Sequence, residues 1–172
     1  MLTPPTILIG LGANIPSIKY GTPIETLEAA LKSFAKVGID IKKQSRWYSS
    51  AAIPISDQPR YINSVVAVNT KLPPHDLLNV LLDIEIKFGR KRSVANAARE
   101  IDLDLLAYGE LINEQSSLHI PHPRIAERAF VLMPICDINP KWLHPKTGKS
   151  AQEMANDIIH NLDSSFCFVV SS

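Results

Sequence analysis

Between Thr6 and Gly109 the chain reads strand, helix, strand, strand, helix, strand, and that order predicts an α+β fold. The expected form is ferredoxin-like: an antiparallel βαββαβ sheet with its helices on one face and a C-terminal extension. Two further observations support it. Both helical stretches open on a capping or proline signal and close on a glycine, and the 172 residues, 45% hydrophobic and 20% charged, suit one globular domain over 1–172.

Thr6 to Leu11 is a short apolar run ending at Gly10-Leu-Gly12-Ala-Asn14, which reads as a buried strand and a turn. Thr22-Pro23-Ile24-Glu25 carries an N-cap, a proline at the first helical position and a glutamate that completes a capping box. Ile24, Leu27, Leu31 and Phe34 form one apolar stripe, and Gly38 stops the helix. Ile39 and Ile41 alternate with polar residues in a second strand that runs on to Trp47 and Tyr48. Ser49 to Pro59 reads as a long functional loop, and Tyr61 to Thr70 as a third strand. Pro73-Pro74-His75-Asp76 opens a second helix with Leu77, Leu81, Ile84 and Phe88 on its stripe and Gly89 at its end. The fourth strand surrounds Asp102-Leu103-Asp104. The sheet face away from these helices is expected to be left for ligands. Beyond Gly109 come the short pieces Leu111-Ile112 and Leu118-His-Ile120, a helix over Ala126 to Ile135, and an amphipathic helix on Ala151, Met154, Ala155, Ile158, Ile159 and Leu162.

A net charge of +1 points to no polyanionic partner, so nucleic acid is not expected. The opening Met1-Leu-Thr-Pro-Pro5 lacks the basic and apolar regions of a signal peptide, and Met1 to Ile18 is too broken by proline and glycine to span a membrane. Cys136 and Cys167 sit among apolar residues without a CxxC pattern and read as reduced and buried. The expectation is a soluble, cytoplasmic monomer acting on small molecules.

Two motifs are decoys. Gly10-Leu-Gly12-Ala-Asn-Ile15 starts like a dinucleotide fingerprint but ends on isoleucine with no helix following at once. Thr147-Gly-Lys-Ser150 resembles the end of a P-loop, yet Leu143 stands where the first glycine is needed. His119-Ile-Pro-His122 lacks a third metal ligand, which makes phosphate or surface contact the better reading.

Asp102 and Asp104 carry more. Ile101, Leu103 and Leu105 alternate with them, so both carboxylates share the strand face away from the core, roughly 6.5–7 Å apart along the strand. Such a pair suits magnesium, which takes few carboxylates and keeps positions for water and phosphate; a solvated strand face is the alternative. Directly upstream, Arg90, Lys91, Arg92 and Arg99 place four cations within ten residues. Guanidinium groups match phosphate oxygens, and phosphoryl transfer asks mainly for positioning and charge neutralisation. Tyr61 and Phe130 could pack in the core or sandwich a flat ring. Asn63 shares the strand face of Tyr61 and can both donate and accept, as a heterocycle requires.

Four separated motifs now stand in order: Asp57-Gln-Pro-Arg-Tyr61-Ile-Asn63, Glu85 with Gly89-Arg90, Asp102-Leu-Asp104-Leu-Leu-Ala-Tyr-Gly109, and Ile120-Pro-His122-Pro-Arg-Ile-Ala-Glu-Arg128-Ala-Phe130. Together they resemble the 6-hydroxymethyl-7,8-dihydropterin pyrophosphokinases of folate synthesis, over about residues 6 to 160. The resemblance implies transfer of diphosphate from ATP to the pterin hydroxymethyl group with release of AMP. It implies that Asp102 and Asp104 hold two Mg2+ ions, and that Arg90, Arg92 and Arg99 contact phosphates and the closing loop. His122 would touch an ATP phosphate and Glu85 the ribose side, with Leu105 and Arg128 also on the nucleotide side. Tyr61 and Phe130 would stack on the pterin and Asn63 read it, with Ser50 at its edge and Ile53 as a backbone contact.

The chain departs from that pattern at two loops. Tyr48-Ser-Ser50-Ala-Ala52-Ile-Pro54 replaces a typical Tyr-x-Thr-x-Pro-x-Gly, and Ala95-Asn-Ala-Ala-Arg99 lacks the tryptophan of a typical Arg-Trp-Gly-Pro-Arg. Two other readings therefore stand beside the leading one: a paralogue with a shifted heterocyclic acceptor, and a non-catalytic nucleotide- or pterin-binding module on the same fold.

Overall fold

The computed structural model describes residues 6–90, 97–160 and 167–170. Arg92 and Leu162 lie outside them, as do Lys91, Ala95 and Asn96 of the altered loop. In chain order the elements are β1 (Ile7–Ala13), α1 (Pro23–Phe34), β2 (Ile39–Gln44), β3 (Tyr48–Ser50), β4 (Tyr61–Thr70), α2 (Pro74–Lys87), β5 (Asp102–Tyr108), β6 (Asn113–Gln115), β7 (Leu118–Ile120), α3 (Ala129–Ile138), α4 (Ala151–Ile159) and β8 (Cys167–Val169).

The main sheet runs β5-β1-β4-β3-β8, and β2 pairs with β4 beside β3. Among the described residues, each pairing in this sheet is antiparallel, as the ferredoxin-like order requires. The long second strand expected over Ile39 to Tyr48 is divided. β2 covers the Val66–Thr70 end of β4 and β3 the Tyr61–Asn63 end. Between them Ser45 leaves the ladder, its N–H bonding Val65 O at 2.9 Å and its hydroxyl meeting the Ser64 hydroxyl at 2.9 Å.

Local chemistry explains the helices. Thr22 and Glu25 form the full capping box of α1, and Gly38 closes the following turn at φ 78°, a conformation that only glycine adopts without strain. Ser150 and Glu153 form a second capping box that starts α4. The helix expected from Ala126 begins three residues later, because Ile125–Glu127 form a 3-10 turn first.

Strand alternation divides the core in two. Ile7, Ile9 and Leu11 of β1, with Leu103 and Leu105 of β5, pack against Leu27, Phe34, Leu77 and Leu81 of α1 and α2. Burial of each such side chain contributes about 1.5–3 kcal/mol. Leu8, Val65 and Leu106 face the other way, onto Leu132 and Ile135 of α3 and Met154 of α4. The second face of the sheet is therefore not open throughout: the C-terminal extension covers part of it and leaves a cleft at one end. A bulge between Leu8 and Ile9 shifts the register of β1 against β5, and Leu106 and Ala107, neighbours in sequence, consequently serve the same core, that of α3 and α4.

One expectation about the fold needs correcting. Cys136 and Cys167 are free thiols but only half-buried, Cys136 at the fringe of the core under α3 and α4 and Cys167 in β8 at the end of the sheet. β8 had no counterpart in the sequence pattern. Among the described residues, no helix is long and apolar enough to cross a membrane.

Candidate active site

β1 supplies the floor. Ile7, Ile9 and Leu11 point to the helices, which leaves Gly10 and Gly12 on the cleft side. Gly12 pairs with Asn63 on one side and Asp102 on the other, and Gly10 pairs with Val65 and Asp104. A Cβ on Gly12 would stand 3.3 Å from Asn63 Oδ1 and 4.0 Å from Asp102 Cβ. The missing side chains open a trough between an amide wall and an acidic wall. Glycine inside a strand commonly marks such a close approach, and that signal, not the rejected dinucleotide fingerprint, is what Gly10-x-Gly12 carries.

One wall belongs to β3 and β4. Asn63 Nδ2 donates to Ser50 Oγ at 2.8 Å, and both residues are buried. Tyr61, opposite Ser50 in the ladder, lines the same cleft, with Phe130 of α3 and Ile53 of the 51–59 loop. The Arg128 guanidinium lies 5.5 Å from the centre of the Phe130 ring.

The other wall is β5. Asp102 and Asp104 both line the cleft, as their shared strand face requires. Arg90 Nη1 meets Asp102 Oδ1 at 2.9 Å and Arg99 Nη1 meets Asp102 Oδ2 at 3.2 Å, so one carboxylate draws in arginines from two segments. Burial, followed by the neighbouring charge of Asp102, pushes the Asp104 carboxyl up to about 7. That is a site with unneutralised acid, and two hard oxygen donors on one strand face fit a magnesium ion.

Behind this wall stands Glu85, 1% exposed. Its Oε1 accepts from the Leu103 N–H at 2.6 Å and pairs with Arg90. Burial pushes the carboxyl up against the pull of these partners. The ribose contact expected of Glu85 is thus corrected: α2 buries the carboxylate under β5, where it holds Arg90 and the backbone of the acidic strand. The Leu105 side chain is in the helix-side core, which leaves only its backbone for the expected nucleotide-side contact.

His122 is half-buried beside β5, its N–H bonded to Leu106 O at 2.8 Å. Its Nδ1 accepts from the Arg124 N–H at 3.2 Å, which leaves Nε2–H as a donor. Burial, then the charges of Arg128 and Arg124, lower its pKa to about 4, so the ring is neutral near pH 7. His122 and Arg90 stand beside the cleft rather than in its lining, whereas Ser50, Ile53, Tyr61, Asn63, Arg99, Asp102, Asp104, Arg128 and Phe130 line it together.

One residue that sequence reading missed connects the walls. Asn14, 2% exposed, exchanges hydrogen bonds with the Arg99 backbone: its N–H donates to Arg99 O at 3.1 Å and its Oδ1 accepts from Arg99 N at 2.9 Å. Its Nδ2 donates to Gln58 Oε1 and Pro59 O, each at 3.1 Å. The end of β1 thereby joins the 51–59 loop to the arginine that meets Asp102. An asparagine closing a strand-to-turn stretch looks like ordinary turn chemistry in the sequence.

Comparisons with known proteins identify the family. Residues 8–140 match the family described as 7,8-dihydro-6-hydroxymethylpterin-pyrophosphokinase. A relative from Synechocystis sp., named 2-amino-4-hydroxy-6-hydroxymethyldihydropteridine pyrophosphokinase, is 40% identical over 152 residues, 88% of this chain and 75% of the relative. One of the same name from Pseudomonas aeruginosa is 36% identical over 78% of this chain and 80% of its own length. The chain spans only 23% of a mitochondrial folate synthesis bifunctional protein of Arabidopsis thaliana, at 39% identity. A solved Plasmodium falciparum HPPK-DHPS chain shares the fold with a TM-score of 0.72 at 14% identity, over 92% of this chain and 42% of that one. Sequence and fold together establish that this chain belongs to the 7,8-dihydro-6-hydroxymethylpterin-pyrophosphokinase family.

Proposed function

We propose that the chain, acting as one domain, transfers the diphosphate of ATP to the hydroxymethyl group of 6-hydroxymethyl-7,8-dihydropterin and releases AMP. The observation that carries this reading is a single cleft. It sets a flat-ring seat, formed by Tyr61, Phe130 and the Asn63–Ser50 pair, across a bare glycine floor from Asp102 and Asp104.

In the reaction the pterin hydroxyl oxygen forms a bond to the β-phosphorus while the bond from that phosphorus to the α-bridging oxygen breaks. AMP leaves with the electron pair, and the hydroxyl proton is lost to solvent. Asp102 and Asp104 would hold Mg2+, which supplies neutralisation of the phosphate charge and polarisation of the hydroxyl. Tyr61 and Phe130 bind the pterin by its faces, while Asn63 and Ser50 fix its orientation in the plane. Arg99 and Arg90 already converge on Asp102 and are placed to turn part of their donor set to phosphate oxygens. Arg128 adds positive charge at the Phe130 side. Neutral His122 presents Nε2–H as a hydrogen-bond donor to phosphate that needs no change of charge near pH 7.

The test replaces the acids. Asp102→Ala and Asp104→Ala should each lower kcat by at least roughly 10²–10³-fold, the scale of losing one preorganised electrostatic group. Circular dichroism should show the fold retained. AMP release at the wild-type rate from either variant would remove the metal assignment.

A further inference from the structure

β3 is the weakest-looking part of the pterin seat, yet it carries Ser50. It is three residues long, shorter than the usual five or six, and meets β4 only through Tyr48↔Asn63, Ser49↔Ile62 and Ser50↔Tyr61. Its other edge is filled by β8, in the register Tyr48↔Val169, Ser49↔Phe168 and Ser50↔Cys167. The Val170 N–H extends this ladder to Trp47 O at 2.9 Å. β8 lies beyond residue 140, where the family match ends.

A side-chain clasp ties the three strands together. Arg60, which precedes Tyr61 at the start of β4, donates from Nε to Ser49 Oγ at 2.9 Å and from Nη2 to Ser49 O at 3.3 Å. Its guanidinium also lies 4.8 Å from the centre of the Phe168 ring. Phe168 is 47% exposed, so burial alone does not account for a phenylalanine there, whereas a platform beneath Arg60 does. The clasp grips Ser49, one residue from the hydroxyl that accepts from Asn63.

We infer that β8 is a positioning element for the pterin half of the site, with Phe168 its key residue: it sandwiches β3 against β4 and thereby fixes Ser50 and Asn63 in the geometry that reads the heterocycle. The inference rests on the proposed pterin transfer. It separates the two substrates, because β8 pairs with the Ser50 wall and has no pairing with β5, which carries the aspartates.

The experiment uses the full chain. Phe168→Pro removes a backbone donor from β8 and disfavours the ladder, while Phe168→Ala removes only the ring. For each, KM for hydroxymethyldihydropterin and KM for ATP are measured separately, with amide hydrogen exchange followed at Tyr48 to Ser50. Phe168→Pro should raise the pterin KM roughly tenfold, leave the ATP KM within about twofold, and speed exchange in β3. Phe168→Ala should move the pterin KM in the same direction by a smaller factor, and it alone decides the matter if the proline variant does not fold. An unchanged pterin KM despite faster exchange in β3, or equal rises in both KM values, would overturn the inference. A wild-type chain without pterin turnover would overturn the functional reading itself, and the inference with it.

Discussion

Asp102 satisfies two arginines and Glu85 satisfies one arginine and one backbone N–H, so a short relay runs from the buried side of β5 to its cleft side. Glu85 belongs to stability as much as to function. Glu85→Ala would strand the Leu103 N–H and leave Arg90 without its buried partner, at a cost of about 2–4 kcal/mol in urea unfolding. Glu85→Gln keeps the bond to Leu103 and should lose less. Near-equal stability of the alanine variant and the wild type would contradict the relay. At this scale the acids were legible in the sequence because strand period alone puts Asp102 and Asp104 together on one face. Glu85 was not, since its neighbours on α2 fix only that it lies on a helix. Whether that helix face meets solvent, a ribose or the underside of β5 is settled by packing across the sheet.

At the scale of elements, β1 shows how one strand serves two purposes. Large apolar residues at 7, 9 and 11 build the helix-side core, while glycines at 10 and 12 keep the ligand side bare. Gly12→Ala should leave stability within about 1 kcal/mol, because only the Asn63 amide must give way, by a few tenths of an ångström. The same Cβ should raise the pterin KM about tenfold, equivalent to about 1.4 kcal/mol; an unchanged KM would remove β1 from the binding surface. The helices were readable from caps and stripes, which are local signals. The break between β2 and β3 was not, because it depends on Ser45 meeting Ser64 and Val65 across the sheet. β8 escaped for a similar reason: three residues have too little periodicity to announce a strand, and only the open edge of β3 gives them a partner.

At the scale of the molecule, the βαββαβ frame is tied to its C-terminal extension by a polar junction as well as by the second core. Asp137 of α3 accepts from Arg46 at 2.6 and 3.0 Å and from the Tyr48 hydroxyl at 2.9 Å. Burial raises the Asp137 carboxyl, but the bonds from Arg46 and Tyr48 outweigh it and hold the group below the usual carboxylate range. A lowered folded pKa means stability that is fully present above the unfolded value near 3.9 and lost as pH falls through the folded one. Asp137→Asn should therefore cost about 1–2 kcal/mol at pH 7, and the gap from wild type should shrink in denaturant titrations below about pH 4. A gap that does not depend on pH would mean the charge at this junction contributes little.

The central claim is that the cleft joins a pterin seat to a diphosphate-transfer centre, and product identity tests it most directly. The chain is incubated with ATP, Mg2+ and 6-hydroxymethyl-7,8-dihydropterin, and the products are resolved by phosphorus NMR. The expected result is one AMP for each pterin diphosphate formed, with no ADP and no AMP when the pterin is left out. Formation of ADP with a pterin monophosphate, or AMP release that ignores the pterin, would contradict the account.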